Sequence, residues 1–421
     1  MEGALLTRME AWATNLLGEL FGVAVSAADP FEAMRGRLPE RPKGRSVVIG
    51  AGKGAAQMAQ ALERHWQGAL SGTVVTRYGY AAPCERIRVL EAAHPVPDAA
   101  GLAASEVLLA EISDLGEDDL VIALVCGGGS SLLAAPAEGL RLEDEQALNE
   151  ALLASGAPIG EMNAIRKMVS RVKGGRLAAA TRARVVSLIV SDVPGDDPAQ
   201  VASGPTVPSA SGRAEALAAV ARYGIALPPK IAAYLETAPE PPGPDDTAFA
   251  RDEVHVIASA GLSLAAAQAH AEAKGWPVRY LGDDLEGEAR ELGAAHARMA
   301  REAEGPLLIL SGGETTVTLD GPGRGGRNTE YLLSFALGIE GAEGIAALAA
   351  DTDGIDGSED NAGAFVDGAS AERMRAAGVD PEDALGRNDA YSAFEAAGTL
   401  FAPGPTGTNV NDFRAILIGR A

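Results

Sequence analysis

Two periodicities alternate along the chain. Short apolar, β-branched runs at 46–50, 73–76, 87–91, 120–126 and 185–191 read as strands. Segments with apolar residues three and four apart, at 54–68, 100–114, 143–155 and 163–180, read as helices. The strands are apolar on both faces, as in a parallel sheet covered by helices on each side, so the pattern predicts a doubly wound α/β layer. The stretch from Glu236 to Asp246, with prolines at 239, 241, 242 and 244, can be neither helix nor central strand, and a domain boundary is expected there. The alternation then restarts, with strands expected at 254–259, 278–281, 307–311, 315–319, 345–350 and 415–418. Helices are expected at 262–274, 286–302, 329–338 and 370–377. No short-period repeat or coiled-coil heptad interrupts this order. In two-domain α/β proteins the reactive groups collect at strand carboxyl ends, in the cleft between domains.

Composition narrows the function. With 421 residues, two domains are expected. Glycine, at 51 residues, is well above its usual share of roughly 7 %, while 47 % of the chain stays hydrophobic. That combination means tight turns in a folded protein. Two cysteines, Cys84 and Cys126, give no disulfide framework and point to a reducing, cytoplasmic setting. The opening twenty residues read as an amphipathic helix carrying acids and not as a signal peptide, and no apolar run is long enough for a membrane helix. A net charge of −23 argues against nucleic acid and anionic membrane as partners.

One window runs against that charge. Between Met162 and Ser191 there is no acid, yet Arg166, Lys167, Arg171, Lys173, Arg176, Arg182 and Arg184 fall there. Either a basic helix complements acidic neighbours, or it recognises an anionic ligand. In the segment from Asn163 to Arg176, Ile165, Met168, Val169 and Val172 form an apolar stripe, which turns Asn163, Arg166 or Lys167, Ser170 and Lys173 the other way.

Four loops after predicted strands carry candidate chemistry. Gly50-Ala51-Gly52-Lys53-Gly54-Ala55 fits G-x-G-x-x-A, but Lys53 at its centre would reach toward phosphate; the bland reading is a tight strand–helix turn. The second predicted strand ends in Arg77 with no acid to take a ribose hydroxyl, which disfavours NAD and leaves NADP open. Gly127-Gly128-Gly129-Ser130-Ser131 offers backbone N–H groups and hydroxyls as an anion nest. Asp192, in Ser191-Asp192-Val193-Pro194-Gly195-Asp196-Asp197, stands at a strand's carboxyl end and leads to Ser203 and Gly204; ordinary turn chemistry is the alternative. In the second half, Glu314 follows Ser311-Gly312-Gly313, and Arg324, Arg327 and Asn328 lie among glycines, where the arginines are expected to be free of packing. Asp351 and Asp353, in Asp351-Thr352-Asp353-Gly354-Ile355-Asp356-Gly357, resemble a calcium loop only loosely. They suit Mg2+ held jointly with substrate oxygens better than a protein cage.

Taken together, GAGKGA, CGGGSSLL, NAIRKMVSRVKGGRLA, SDVPGDDPAQVASGPT, SGGETTVT with GRGGRN, ADTDGIDGSEDNAG and PTGTNVNDF resemble the glycerate 2-kinase family, and they cover nearly the whole chain. The resemblance implies a Rossmann-like N-terminal domain (1–238) and a smaller C-terminal α/β domain (250–421) containing MOFRL, with the active site in the interdomain cleft. It implies ATP- and Mg2+-dependent phosphorylation of D-glycerate at the 2-hydroxyl, giving 2-phosphoglycerate and ADP. It places Lys53, Asp192 and Arg327 in the active site. Nucleotide or substrate contacts are expected from Gly52, Gly127, Gly128, Gly129, Ser130, Ser131, Asn163, Arg166, Lys167, Lys173, Ser203, Gly204, Glu314 and Asn328, with Asp351 and Asp353 as candidate Mg2+ ligands. A homodimer is compatible with this reading. Two rivals stand beside it. An NADP-dependent hydroxypyruvate reductase would use GAGKGA with Arg77 but leave the other anion loops idle. A non-catalytic sugar-phosphate or nucleotide sensor would bind without turnover.

Overall fold

A computed structural model describes residues 11–419. The described chain divides into two compact units: Pro30–Ile257, and residues 11–29 together with 258–419.

The first unit is built on a six-stranded sheet of order β3-β2-β1-β4-β5-β6. Its strands are β1 (Ser46–Ala51), β2 (Ser71–Arg77), β3 (Arg88–Ala92), β4 (Leu120–Cys126), β5 (Arg184–Val190) and the edge strand β6 (Glu253–Ala258). Strands β1 to β5 run parallel, and β1 and β4 are buried along their whole length, as their unbroken apolar runs require. Helix Ala55–His65 packs on β2 and β4, and helix Ala99–Ile112 packs on β1, β2 and β3. Strand order reverses between β1 and β4, whose carboxyl ends stand side by side, Ala51 opposite Val125. The glycine loops after β1 and β4 therefore leave the sheet side by side at its topological switch point, where such sheets bind ligands.

The expected helix at 163–180 is a correction. The structure holds helix Ile159–Met168, then a non-helical passage, then the short helix Arg176–Ala179. The backbone at 169–171 pairs with 135–137 instead of continuing the helix: Ala137 N donates to Val169 O and Arg171 N to Ala135 O, both at 2.8 Å. Gly174 and Gly175 then turn through φ 61° and 81°, which residues with a Cβ adopt only at a cost. The proline-rich stretch belongs to the surface of this unit. Arg176 Nη2 donates to Pro239 O at 2.9 Å and Ser209 N to Pro242 O at 2.9 Å. The chain then adds β6 to the first sheet before entering the second unit.

The second sheet has the order β11-β10-β9-β12-β8-β7. Its strands are β7 (Val278–Tyr280), β8 (Leu307–Gly313), β9 (Ile345–Asp351), β10 (Gly363–Asp367), β11 (Leu400–Phe401) and β12 (Asp412–Ile418). Only β7 and β8 pair in parallel; β12 runs antiparallel to both β8 and β9, and β10 antiparallel to β9 and β11. Side chains alternate between two cores. Leu308, Leu310, Leu348, Ala415 and Leu417 face helices Ala11–Ala28 and Ala260–Ala273. Ile309, Ala347, Ala349, Ile416 and Ile418 face helices Ala289–Glu302 and Arg327–Gly338. Helix Ala11–Ala28 is thus a structural part of the second unit; the first ten residues of the expected N-terminal helix lie outside the described ones. Leu17, Leu20 and Phe21 are fully buried there, worth about 1.5–3 kcal/mol each as an upper bound. The strand expected at 315–319 is not formed: Thr316 makes an isolated bridge to Glu288, and Leu319 is exposed.

Candidate active site

In the first unit, three loops close on one another at the switch point. Gly52, at φ 143°, passes so near Cys126 that an added Cβ would lie 2.3 Å from its Sγ. Lys53 N donates to Gly127 O at 2.8 Å, Gly54 N to Cys126 Sγ at 3.2 Å, and Thr76 Oγ1 to Lys53 O at 3.0 Å. The lysine is therefore fixed at its backbone by strands on either side. A Cβ on Gly127 would fall 2.0 Å from Asp192 Oδ2, and one on Gly128 would fall 3.0 Å from both Lys53 Cγ and His94 Nε2. Lys53, Asp192 and His94 converge on these two glycines, which have no side chain to obstruct them. Burial, with Asp192 adding to it, pushes the Cys126 thiol up to about 12, so that sulfur stays protonated beneath the loop.

Behind Ser130 runs a polar chain. Ser130 Oγ lies 2.8 Å from Ser203 Oγ, and Ser203 Oγ donates to Asn163 Oδ1 at 3.0 Å. Arg166 Nη1 donates to the same Asn163 oxygen at 3.1 Å, and the Asn163 amide donates to Gln200 O at 3.2 Å, which fixes which way Asn163 points. Since the Ser203 proton goes to Asn163, Ser130 is the donor to Ser203 and keeps its lone pairs for another partner. Ala202, Ser203 and Gly204 are all left-handed, at φ 53°, 61° and 58°. For the two non-glycine residues this costs on the order of 1 kcal/mol each. Gly174 N and Gly175 N hold the turn by donating to Ser203 O and Gly204 O at 3.0 and 2.8 Å.

The basic window is only partly inward-facing: Lys167 and Lys173 are buried, while Arg171 and Arg182 are exposed. Lys173, expected to meet ligand, is buried in an ion pair with Glu145 at 2.6 Å. Arg171 pairs with Glu106 and Arg184 with Glu253. Lys167 is buried, which depresses its ammonium pKa against the opposing pull of Asp197. Arg166 is likewise depressed by burial while Glu145 favours its charge, and it joins Asn163 to Asn149. For Lys173, Arg171 and Arg184, complementing acidic neighbours is what the geometry shows. Ser131 lies partly exposed on the short helix Gly129–Leu132.

In the second unit, Arg327 opens helix Arg327–Gly338. Its Nε donates to Asp412 Oδ1 at 2.8 Å and its Nη2 to Asp351 Oδ2 at 2.7 Å, while Nη1 stands 3.7 Å from exposed Glu314. Against the cost of burial, Asp412, Asp351 and Glu314 hold the guanidinium pKa above its ordinary value. Asp412 also accepts from Asn328 Nδ2 at 2.8 Å and from buried Arg414 Nη2 at 2.5 Å. Asn328 is buried in this support and its Oδ1 has no hydrogen-bond partner. Asp356, the third acid of the loop after β9, accepts from Asn328 N, Thr329 N and Thr329 Oγ1 at 2.9, 2.8 and 2.7 Å. It serves as the cap that side-chainless Gly326 cannot provide. Arg324, expected to be free, instead lies over the Tyr391 ring and pairs with Glu359 and Glu395.

The acids of this loop give no ready-made metal cage. Asp351 Oδ2 is engaged by Arg327 and Oδ1 by Asp353 N; Asp353 Oδ1 accepts from Ile355 N and Oδ2 from Asn409. Burial, with repulsion from Asp353 and Asp412, raises the Asp351 carboxyl well above the usual range despite Arg327. Among the described residues no group of three or more His, Cys, Asp or Glu is placed to hold a metal. Asp351 and Asp353 therefore form no protein cage for Mg2+ by themselves.

His94 escaped the sequence reading because a lone histidine after a strand carries no motif; only the fold sets it beside Lys53. Among the described residues no helix is long and apolar enough to cross a membrane.

Comparison with known proteins fits this arrangement. Residues 16–236 match a family described as a domain of unknown function, DUF4147, and residues 307–412 match the MOFRL family. A protein of Agrobacterium vitis provisionally named hydroxypyruvate reductase is 52 % identical over 98 % of this chain and 96 % of its own. The D-glycerate 2-kinase of Thermotoga maritima is 38 % identical over 94 % of this chain and 95 % of its own. The crystal structure of glycerate kinase from the same organism superposes with a TM-score of 0.88, at 38 % identity, covering 97 % of this chain and 99 % of that one. A two-unit α/β chain that matches kinases over almost its full length, with the MOFRL match confined to its second half, belongs to the glycerate kinase family and is a kinase.

Proposed function

We propose that the protein transfers the γ-phosphoryl group of ATP to the 2-hydroxyl of D-glycerate, yielding 2-phosphoglycerate and ADP. The observation that carries this reading is the meeting of Lys53 and Asp192 at Gly127 and Gly128. Transfer to an alcohol needs an acceptor for the hydroxyl proton and positive charge for the moving phosphoryl group. Asp192 takes the proton as the new oxygen–phosphorus bond forms and the bond to the β-phosphate oxygen breaks. Lys53 and the N–H groups of 127–131 neutralise the transferring group. Arg327, held in orientation by Asp412 and Asp351, is assigned as a further cation for the anionic substrates. Mg2+ enters as the nucleotide complex, and no resident metal is assigned.

The test is to incubate the pure protein with Mg·ATP and D-glycerate and pass the product to enolase. Enolase consumes 2-phosphoglycerate directly and leaves 3-phosphoglycerate untouched. ADP formation without an enolase-competent product would refute the 2-hydroxyl assignment. Hydroxypyruvate reduction is the second reading, favoured by the name of the relative at 52 % identity. NADPH oxidation with hydroxypyruvate, in the absence of any ATP-dependent reaction, would establish it instead.

A further inference from the structure

Each of the other four histidines has a clear partner. His65 Nε2 meets Phe31 O at 2.8 Å, His255 meets Glu253, His270 meets Glu19, and His296 Nδ1 meets Tyr331 Oη at 2.8 Å. His94 is partly buried, and among the described residues its ring has no hydrogen-bond or ion-pair partner. Its Nε2 faces Gly128 alongside the Lys53 stem, one residue from Gly127, against which the Asp192 carboxylate lies. Burial, then Lys53 and Arg77, depress its pKa to about 4. At neutral pH it is therefore an uncharged ring with one donor and one acceptor.

Such a group complements a substrate atom that is polar and uncharged. In the proposed reaction, cations meet the carboxylate and the phosphates, and Asp192 meets the reacting hydroxyl. What remains of glycerate is its second, non-reacting hydroxyl. We propose that His94 is a specificity-determining residue: it hydrogen-bonds the non-reacting hydroxyl of the acceptor and so selects dihydroxy acids over monohydroxy acids. The inference rests on the kinase reading above. A partly buried polar group left without its partner in the closed complex disfavours an acceptor lacking that hydroxyl, as in hydroxyl-reading sites.

The experiment compares D-glycerate with D-lactate, which has the same configuration and lacks only the 3-hydroxyl, in the wild type and in His94→Ala and His94→Gln. The wild type should favour D-glycerate in kcat/KM by about 100-fold or more. His94→Ala should lose about 10- to 100-fold on D-glycerate and less than about threefold on D-lactate, with KM for ATP unchanged. His94→Gln, which keeps a neutral donor and acceptor, should recover part of the loss. If D-lactate turnover is too slow to measure, 15N spectra of the His94 ring decide: its resonances should move on adding D-glycerate and stay in place with D-lactate. Equal use of both acids by the wild type, unchanged D-glycerate kinetics in His94→Ala, or equal shifts with both acids would overturn the proposal. A wild type inactive on D-glycerate would instead refute the kinase reading on which it rests.

Discussion

Neutralising Asp412 tests whether the second unit is built around one buried charge cluster. In Asp412→Asn the shape is kept, but one carboxylate oxygen becomes an N–H donor facing guanidinium donors. Arg414, 1 % exposed, loses its 2.5 Å counter-charge, and Arg327 loses its Nε partner at 2.8 Å. Breaking one side of a buried ion pair costs about 3–5 kcal/mol, and the remaining amide oxygen and the carbonyl of Gly312, which accepts from Arg414 Nη1 at 2.9 Å, favour the lower end. At about 2–4 °C per kcal/mol for a domain of 150–250 residues, a loss near 3 kcal/mol lowers the melting temperature by roughly 6–12 °C. Asp351 still holds Arg327 by one arm, so kcat should fall by about tenfold and not vanish. Scanning calorimetry of both proteins at one pH and salt concentration, beside initial rates at saturating D-glycerate and Mg·ATP, measures both effects. A melting temperature within about 2 °C of wild type together with unchanged kcat would show that Asp412 does not carry these charges, and the account of Arg327 orientation would fall with it.

Three further outcomes are expected. Lys53→Ala should lower kcat by about two to three decades while the melting temperature holds, since one charge at the transferring group is worth roughly 3–4 kcal/mol; near-normal turnover in steady-state assays would remove Lys53 from the mechanism. Gly127→Ala places a methyl group 2.0 Å from Asp192 Oδ2 at a backbone φ that alanine tolerates. It should displace the carboxylate and cost about 100-fold in kcat, checked by the same assay, with retained activity showing that Asp192 can move without loss. His296 is buried and its pKa is depressed by burial, with Arg414 adding, to about 4. The unfolded chain binds that proton near pH 6.5, so stability is full above about 6.5 and falls as pH drops through 4, by about 3 kcal/mol in all. His296→Asn should flatten the melting temperature between pH 7 and 4.5, and an unaltered slope would count against the assignment.

How far the sequence could be read depended on whether a signal was local. Strands β1, β4 and β5 announce themselves because both of their faces are buried, and the glycine loops after β1 and β4 are legible for the same reason. β10 and β11 are short and pair antiparallel at one end of the sheet, so no alternation long enough to notice marks them. The run at 315–319 shows the converse: β-branched residues favour a strand, but no neighbour pairs along its length. Charge misled in a related way. Lys173 and Arg324 look like free cations in sequence, and only the fold brings Glu145, Glu359 and Glu395 to them. Arg327 was visible as a motif, whereas Asp412, which aims it, lies in a strand on the far side of three intervening helices and three strands. Asp356 looked like part of a cation loop because its role as a helix cap depends on Gly326, distant along the chain.

The order of segments also bears on how the protein is made. The first unit is one continuous stretch, while the second is assembled from a leading helix and everything after residue 257. During synthesis the leading helix emerges ahead of the first unit and must wait, its apolar stripe uncovered, until the sheet it covers exists. That sheet in turn lacks its middle strand, β12, until translation has passed every other element. The contiguous unit is therefore expected to fold before the divided one, which must await β12. Ribosome-stalled chains ending near residue 300 should already protect β1 and β4 from proteolysis and leave the leading helix open to cleavage.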